Sequence, residues 1–420
     1  MRNNPILFFL IFSTIIFLID FYTNRGLKKF IGKLNKNTKR ILKLLLWIVP
    51  FILILSMVLI PFLRDKINPA HFLIYIHFIS GTFILFYIPK LIFIIFNLID
   101  DLIHLSVKTF TKDKKENKSQ SDLKKISRSQ FLTRIGILTA GVPFLSIAYG
   151  IGWGRFNTTV RREILSFVNL PHKFNGLRIV QLSDFHLGSL LNHSSFVDEV
   201  VETVNSLNPD LILFTGDIVN NVSEEMDKFV PKLGRLNSRF GKYSVLGNHD
   251  YGEYVPWKSD EDKLENLNKI KQKQIDSGFD LILNDSRKIN LEGEEIALIG
   301  VENWGLPPFP QYGELDRAMS NIEEDSFKIL MSHDPTHWDA QVLGSTNIDL
   351  TLSGHTHGAQ FGVEIPGWRW SPVNVRYKRW GGLYTEGSQH IYVNTGIGFI
   401  GFPGRVGMPP EITLIELKRV

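Results

Sequence analysis

Four apolar stretches fill the first part of this chain, and each is long enough to cross a lipid bilayer, which takes about 20 helical residues. They cover roughly residues 5–23, 44–63, 71–99 and 131–152. Each stretch is apolar on all sides, and basic segments separate them, which is unlike the helices of a soluble core. The sequence therefore predicts a bundle of about four transmembrane helices over residues 1–152.

The two parts of the chain carry charges of opposite sign. Residues 1–152 hold 21 Lys and Arg against 7 Asp and Glu, whereas residues 153–420 hold 26 against 35. A nucleic-acid-binding protein places its basic surface on the functional domain, and here that domain is acidic. The charges therefore disfavour nucleic acid as a partner. The chain has no cysteine, which excludes a disulfide framework.

The basic residues also predict an orientation in the membrane. Lys and Arg concentrate in residues 24–43 and 100–130, whereas the loop at 64–70 carries only Arg64 and Lys66. Because loops rich in Lys and Arg stay in the cytoplasm, we expect a multi-pass protein of the cell membrane. The region after residue 152 would then lie on the extracytoplasmic face.

Two features precede the fourth apolar stretch. The polar tract 112–125 predicts a solvated, flexible loop. Ser127-Arg128-Ser129 has two interpretations, a degenerate twin-arginine export motif or the basic start of a helix.

From residue 153 onward, short apolar runs alternate with polar helical windows. The predicted strands are 178–182, 211–214, 243–246, 296–299, 329–331, 350–352, 391–393 and 412–417. The predicted helices are 194–206, 223–236, 260–277 and 313–324. Such alternation indicates a layered α/β fold, and the closer spacing of the later runs suggests a second sheet packed on the first.

Five short polar motifs each follow one of the predicted strands. They are Asp184-Phe185-His186, Gly216-Asp217, Gly247-Asn248-His249-Asp250, His333 and Gly354-His355-Thr356-His357. Open α/β sheets build their sites at the carboxyl ends of strands, because the loops there converge on one crevice. The glycines that precede candidate ligands predict sharp turns or a close approach of another segment.

The chemistry of these motifs indicates a metal centre. They offer carboxylate oxygens, an amide oxygen and imidazole nitrogens, which suit Mn, Fe, Zn or Mg better than thiolate-loving metals. So many groups exceed one tetrahedral site and match two divalent ions that share a carboxylate, the arrangement used to hydrolyse phosphate esters. A lone His or Asp at a strand end is usually a turn former, but here five motifs would have to coincide.

Taken in order, the five motifs resemble those of the calcineurin-like metallophosphoesterases, over roughly residues 175–420. With its N-terminal apolar stretches, the chain resembles the membrane-bound bacterial branch of that family. The resemblance implies that residues 153–420 form a catalytic domain with a four-layer α/β/β/α sandwich, in which two packed mixed sheets are flanked by helices.

The resemblance also implies a role for each candidate residue. The first ion would be held by Asp184, His186 and His357. The second ion would be held by Asn248, His333 and His355. Asp217 would bridge the two ions, and a hydroxide shared between them would attack phosphorus in line. His249 would protonate the departing oxygen as general acid, and Asp250 would orient the local loop.

One departure from the family's motifs narrows the class of substrates that we expect. The phosphoprotein-phosphatase branch carries an Asp where this chain has Asn220, and an Arg where it has Asn221. Because that Asp supports the acid histidine, its loss makes protein dephosphorylation less expected. A diester, a pyrophosphate bond or a small phosphoester is favoured instead.

Three functions stay open. The first is a membrane-anchored phosphoesterase with an extracytoplasmic catalytic domain. The second is a cytoplasm-facing pyrophosphatase of a nucleotide-linked glycolipid precursor, of the UDP-diacylglucosamine type in the lipid A pathway. The third is a metal-binding scaffold without turnover, which the complete ligand set and His249 argue against. The sequence carries no indication of the oligomeric state.

Lipid-linked substrates are a hypothesis that rests on aromatic residues in the loops. These are Trp257, Trp304, Phe309, Trp368, Trp370, Trp380, Phe399 and Phe402. Such residues could hold lipid tails, although each could equally pack a core. Arg405 has two interpretations, a contact with substrate phosphate or a surface role.

Overall fold

The structure is a computed structural model that describes residues 5–31, 34–64, 66–110 and 127–420. It divides into two compact units, Met1–Tyr149 and Gly150–Val420. The tract 112–125, for which the sequence predicts a flexible loop, lies outside the described residues.

The first unit is built from long apolar helices. They are α1 (Pro5–Ile31), α2 (Lys36–Leu63), α3 (Pro69–Phe110) and α4 (Arg128–Gly152). All four are long and apolar enough to cross a membrane, which confirms the expected set of N-terminal apolar helices. The third stretch forms a single continuous helix with Pro89 inside it, as expected for one span.

Three of these helices enclose a charged pair. α1, α2 and α3 pack around Ile16, Leu53 and Tyr87. Beside this cluster, Lys90 Nζ lies 2.5 Å from Asp20 Oδ1, and the Tyr87 hydroxyl donates to Asp20 Oδ2 over 2.6 Å. The side chains of Asp20 and Lys90 are both buried. Charges are tolerated in such a place only when they are paired.

The Ser127-Arg128-Ser129 segment begins α4 and contacts α3. The Ser129 hydroxyl donates to Asp100 Oδ2 over 2.7 Å, and a guanidinium nitrogen of Arg128 lies 3.5 Å from Asp100 Oδ1. These contacts suit the interpretation of the segment as a basic helix start.

The second unit contains two six-stranded sheets and a separate hairpin. The first sheet has the order β1 (Thr159–Phe167), β14 (Glu411–Arg419), β2 (Arg178–Leu182), β3 (Leu211–Phe214), β4 (Lys242–Ser244) and β5 (Asp280–Leu281). The second has the order β12 (Gly382–Glu386), β13 (Gln389–Val393), β9 (Leu350–Ser353), β8 (Phe327–Met331), β7 (Glu294–Gly300) and β6 (Asp285–Leu291). The hairpin pairs β10 (Val363–Ile365) with β11 (Trp368–Trp370).

Both sheets are mixed. In the first, β2, β3, β4 and β5 run parallel, and β14 lies antiparallel to β2. In the second, β13, β9, β8 and β7 run parallel, with antiparallel β12 and β6 at the edges. The central strands are buried on both faces and are therefore almost wholly apolar.

The layers follow from which apolar residues meet. One core lies between the sheets, where Ile179 and Leu213 join Ile329 and Leu352. The outer face of the first sheet packs on α5 (Ser194–Ser206), α6 (Val230–Gly234) and α7 (Asp260–Asp276). The outer face of the second packs on α8 (Leu315–Met319) and on Trp338. The layers are therefore α/β/β/α, which confirms the expected fold class.

Candidate metal centre

The candidate ligands stand in loops that leave the carboxyl ends of strands in both sheets. Asp184 follows β2, Asp217 follows β3 and Asn248 follows β4, all in the first sheet. His333 follows β8 and His355 follows β9, in the second sheet. Because the two sheets pack face to face, their loops deliver side chains from both to one place.

One cluster consists of Asp184, His186 and His357, all buried. The Nε2 atoms of the two histidines lie 3.0 Å apart. Asp184 Oδ1 lies 3.2 Å from His357 Nε2 and 3.9 Å from His186 Nε2. Two imidazole nitrogens and a carboxylate oxygen thus converge on one point, as the ligands of a single ion do.

A second cluster consists of Asp217, His333 and His355. His333 Nε2 lies 3.1 Å from Asp217 Oδ2 and 3.3 Å from His355 Nδ1. Asn248 adds an amide oxygen, because its Oδ1 lies 2.8 Å from His355 Nδ1. The cluster therefore offers two nitrogens and two oxygens to one cation.

Asp217 lies between the two clusters. Its Oδ2 is 3.1 Å from His333 Nε2 in the second cluster and 3.6 Å from His186 Nε2 in the first. Its other oxygen accepts a hydrogen bond from the backbone N–H of His249 over 2.8 Å. Of the candidate carboxylates, Asp217 is thus placed to face both ions of a pair.

The backbone of these loops is unusual. Positive φ angles occur at five candidate ligands, Asp184 (53°), His186 (44°), Asp217 (59°), His355 (72°) and His357 (51°). A left-handed conformation of a residue other than glycine costs free energy and persists where the surroundings impose it. Such residues concentrate at functional sites, and here the strain falls on the side chains that form the clusters.

Two glycines allow the loops to come close together. Gly216 has a φ of 100°, and a Cβ there would lie 2.6 Å from the backbone nitrogen of Gly247. A Cβ at Gly354 would overlap the side chains of Ser183 and Asp184. Both glycines precede a candidate ligand, and the close approach expected from the sequence is present at both.

His249 lies beside the first cluster, where the rings of His249 and His186 are 4.9 Å apart and nearly perpendicular. Its Nδ1 lies 2.7 Å from the backbone carbonyl of Asn220. A carbonyl can only accept, so Nδ1 carries the proton of this bond and Nε2 is left for other chemistry. The Asn220 side chain turns away and accepts from the backbone N–H of Ser189.

Asp250 binds the backbone of two ligand loops. Its oxygens accept hydrogen bonds from the N–H groups of Asp217 (3.0 Å), Ile218 (2.9 Å), Val219 (3.2 Å) and Gly247 (2.9 Å). The carboxylate therefore joins the loop after β3 to the loop after β4. This contact fixes where Asp217 and Asn248 stand relative to each other.

The electrostatics of the clusters favour a cation. Burial alone would raise the pKa of Asp184 and Asp217, yet the neighbouring imidazoles hold both pKa values below the usual range. Burial opposes a charge on His333, yet Asp217 raises its pKa to about 10, so a metal ion that binds His333 must displace this proton. Burial lowers the pKa values of His186 and His355, and neutral imidazole is the form that binds a metal.

The donor set fits divalent ions. It contains carboxylate and amide oxygens and imidazole nitrogens, which suit Mn, Fe, Zn and Mg. His333 also has the second partner that metal-binding histidines need, because its Nδ1 lies 2.8 Å from the backbone carbonyl of Thr215. Nε2 is then the nitrogen that faces the cluster.

Three residues pack around His355, and of these the sequence points only to Phe309, as one of the loop aromatics. The Tyr377 hydroxyl lies 2.8 Å from His355 Nε2, and Asp334 Oδ2 lies 3.4 Å from the same atom. The ring of Phe309 meets the His355 ring at 4.6 Å, edge to face. Asp334 adjoins His333 in the sequence and could have been noticed, but Tyr377 and Phe309 stand in loops without a motif.

Arg405 corrects an expectation. The sequence suggests either a phosphate contact or a surface role, but the side chain is buried. Its guanidinium donates to the backbone carbonyls of Gly398 and Thr395. Arg405 thus holds together the loop between β13 and β14.

The loop aromatics form a buried group, an exposed pair and a set of intermediate exposure, namely Trp257, Trp304 and Phe309. Trp380, Phe399 and Phe402 are buried and pack the interior. Trp368 and Trp370 are about half exposed, at 51% and 46%, on the β10–β11 hairpin. Packing in the interior therefore accounts for the buried aromatic residues. It does not account for the two exposed tryptophans of the hairpin.

Two family models match the chain. One, described as calcineurin-like phosphoesterase, matches residues 177–359. The other, described as the transmembrane domain of a probable calcineurin-like phosphoesterase, matches residues 1–155. The first match contains all seven candidate ligands, and the second contains the four apolar helices.

Curated relatives agree with these matches. A Bacillus subtilis (strain 168) protein named uncharacterized metallophosphoesterase YkuE is 34% identical over 310 residues, which are 70% of this chain and 99% of that protein. A Danio rerio protein named transmembrane protein with metallophosphoesterase domain is 30% identical over 261 residues. These are 60% of this chain and 55% of that protein. The chain thus spans nearly all of the first relative and little more than half of the second.

Proposed function

The chain belongs to the calcineurin-like phosphoesterases and is a multi-pass membrane protein, and we propose that it hydrolyses phosphoester, phosphodiester or pyrophosphate bonds with two divalent ions. The observation that carries the proposal is the position of Asp217 Oδ2, 3.1 Å from His333 in one cluster and 3.6 Å from His186 in the other. Two ions held there would supply the Lewis acidity that phosphoester hydrolysis requires.

His249 is the proton donor in this proposal. The Asn220 carbonyl binds Nδ1 and leaves Nε2 to pass a proton to the departing oxygen of the substrate. The backbone N–H of His249 also binds Asp217, which couples the position of the donor to that of the shared carboxylate. A main-chain carbonyl therefore does the orienting work that a carboxylate does in the phosphoprotein-phosphatase branch.

Replacement of His249 by alanine tests this role. Turnover of a chromogenic phosphodiester with Mn should fall about 10²–10⁴-fold, because a general acid contributes that much. Elemental analysis should still find two ions per chain, because no ligand has been removed. His172→Ala removes an exposed histidine outside the clusters and should leave both values unchanged. Loss of metal from His249→Ala would show that the residue is a ligand rather than the acid.

The identity of the substrate is part of the proposal, and lipid-linked phosphoesters are favoured. The chain is anchored in a bilayer, and the β10–β11 hairpin presents exposed Ile365, Trp368 and Trp370. Aromatic side chains of this kind settle at membrane interfaces. Equal hydrolysis of soluble and vesicle-borne phosphoesters by the membrane-embedded protein would contradict this preference.

A further inference from the structure

Arg376 is an exposed cation beside the candidate metal centre. Among the residues that the structure describes, no carboxylate lies within 4.0 Å of its guanidinium. Its neighbours in sequence differ, because Arg369 pairs with Glu364 at 3.4 Å and Arg379 pairs with Asp339 and Glu386 at 2.9 Å each. The charge of Arg376 is therefore left for an anion from outside the chain.

Two aromatic rings hold this guanidinium, and both touch His355. The Arg376 Cζ lies 5.1 Å from the centre of the Phe309 ring and 5.5 Å from that of Tyr377. Phe309 packs edge to face on His355, and the Tyr377 hydroxyl lies 2.8 Å from His355 Nε2. Cation–π contacts of this kind orient a planar guanidinium without neutralising its charge.

We propose that Arg376 binds a second anionic group of the substrate, next to the phosphoryl group that reacts at the metal centre. The inference rests on the proposed function and narrows it to substrates of the diphosphate class. A guanidinium presents paired donors that match two phosphate oxygens. One ring separates Arg376 from His355, so an anion bound by Arg376 lies on the His355 side of the centre.

Binding of two anions tests the proposal without requiring turnover. The full-length protein in detergent is loaded with Mn and titrated calorimetrically with orthophosphate and with methylenediphosphonate, a pyrophosphate analogue whose bridging carbon resists hydrolysis. Arg376→Ala should raise the Kd for methylenediphosphonate about tenfold, because a charge-assisted contact is lost. The Kd for orthophosphate should stay the same, and Arg376→Lys should recover part of the loss.

The matched control is Lys378→Ala, which removes the same charge from an exposed residue two positions away. It should leave both Kd values unchanged. If Arg376→Ala weakened the binding of both anions equally, or if Lys378→Ala weakened the binding of methylenediphosphonate as much, Arg376 would be only a solvated surface charge. A different result would contradict the proposed function itself. In that case the wild-type protein would hydrolyse no phosphoester with any divalent ion.

Discussion

The hydroxyl of Tyr377 fixes the imidazole of His355 from the side that faces away from the cluster. His355 Nδ1 faces His333 and Asn248, so a metal would bind that nitrogen. Nε2 would then carry the proton and donate to Tyr377 or to Asp334. Partners of this kind hold the ring and keep it in the metal-binding tautomer.

We therefore expect Tyr377→Phe to weaken the binding of one of the two ions by about 10–100-fold. Titration with Mn, followed by elemental analysis at limiting free metal, measures the effect. Tyr384→Phe is the control, because the Tyr384 hydroxyl accepts from the backbone of Trp380 and contacts no ligand. An unchanged affinity in Tyr377→Phe would mean that other contacts alone hold His355.

Glu225 should make the stability of the second unit depend on pH. Its carboxyl is buried beneath the Asn220 loop and accepts from the backbone N–H groups of Asn221 and Val222. Burial raises its pKa from 4.5 to about 7. Because the folded state binds this proton more tightly, the contribution to stability is complete below pH 4.5 and is lost as pH rises through 7.

Replacement of Glu225 by glutamine should remove this dependence. The variant should melt at a lower temperature at pH 5, because an amide offers one acceptor oxygen to a loop that presents several N–H groups. The gap between its Tm and that of the wild type should narrow from pH 5 to pH 8, as measured by scanning fluorimetry. Parallel curves across this range would show that Glu225 does not titrate there.

The sequence predicts the ligands better than the residues that position them. Asp184, Asp217, Asn248 and His355 follow strands within motifs, so their convergence follows from sheet geometry. Tyr377 reaches His355 from a loop that carries no motif, and only the folding of the second unit brings it there. Contacts of this kind depend on the path of a long loop, which local patterns do not encode.

Among the elements, central strands are predicted from the sequence better than edge strands. β2, β3, β8 and β9 are short apolar runs and match the prediction within two residues at each end. β1 and β6 were missed, and both lie at sheet edges, with charged residues such as Arg162 and Lys288. Charged residues protect an edge strand from pairing with other chains. They also interrupt the apolar run by which a strand is recognised in the sequence.

The helices show which local signals are reliable. α5 has the predicted bounds, because Phe196, Val197, Val200 and Val204 repeat at helical spacing and are all buried. The window 223–236 is instead a short turn followed by the five-residue α6, and 313–324 contains only the five-residue α8. These two windows overestimate helix length, whereas the polar window 260–277 matches α7 within one residue, because the Ser259 side chain caps its start by accepting from the backbone N–H of Asp262.

The pair Asp20–Lys90 should stabilise the packing of α1 on α3. Asp20→Asn or Lys90→Met alone leaves one buried charge without its partner, which costs about 3–5 kcal/mol in a protein interior. The double variant should be more stable than either single variant, because no unpaired charge remains. Thermal unfolding of the three variants in detergent provides the double-mutant cycle. Additive losses would mean that the two charges do not interact.

At the scale of the whole molecule, the absence of cysteine allows a clean test of orientation. Val375→Cys places a thiol on a side chain that is 95% exposed in the second unit. Lys36→Cys places one in the first basic segment. Because basic segments stay in the cytoplasm, an impermeant maleimide should label residue 375 in intact cells and residue 36 only after permeabilisation. The reverse pattern would place residues 153–420 in the cytoplasm, as the alternative of a cytoplasm-facing pyrophosphatase requires.

The charge asymmetry of the chain belongs to this scale too. The basic excess lies in the part with four apolar helices, and the acidic excess lies in the part that contains the candidate metal centre. The isoelectric point of the whole chain is high because of the basic residues in the first part. The second part carries an acidic excess.

The ligand clusters draw on both sheets, and this has a consequence for how the protein matures. Asp184 and Asp217 come from one sheet, and His333 and His357 come from the other. Ions bound there would hold the loops of the two sheets together, and their binding free energy would add to the stability of the folded state. A newly made chain without metal would lack this contribution, and only the protein's own contacts would hold the strained ligand loops in place. Such a chain would be less stable and would be degraded faster by cellular proteases. The supply of metal would therefore affect how much of the protein a cell retains.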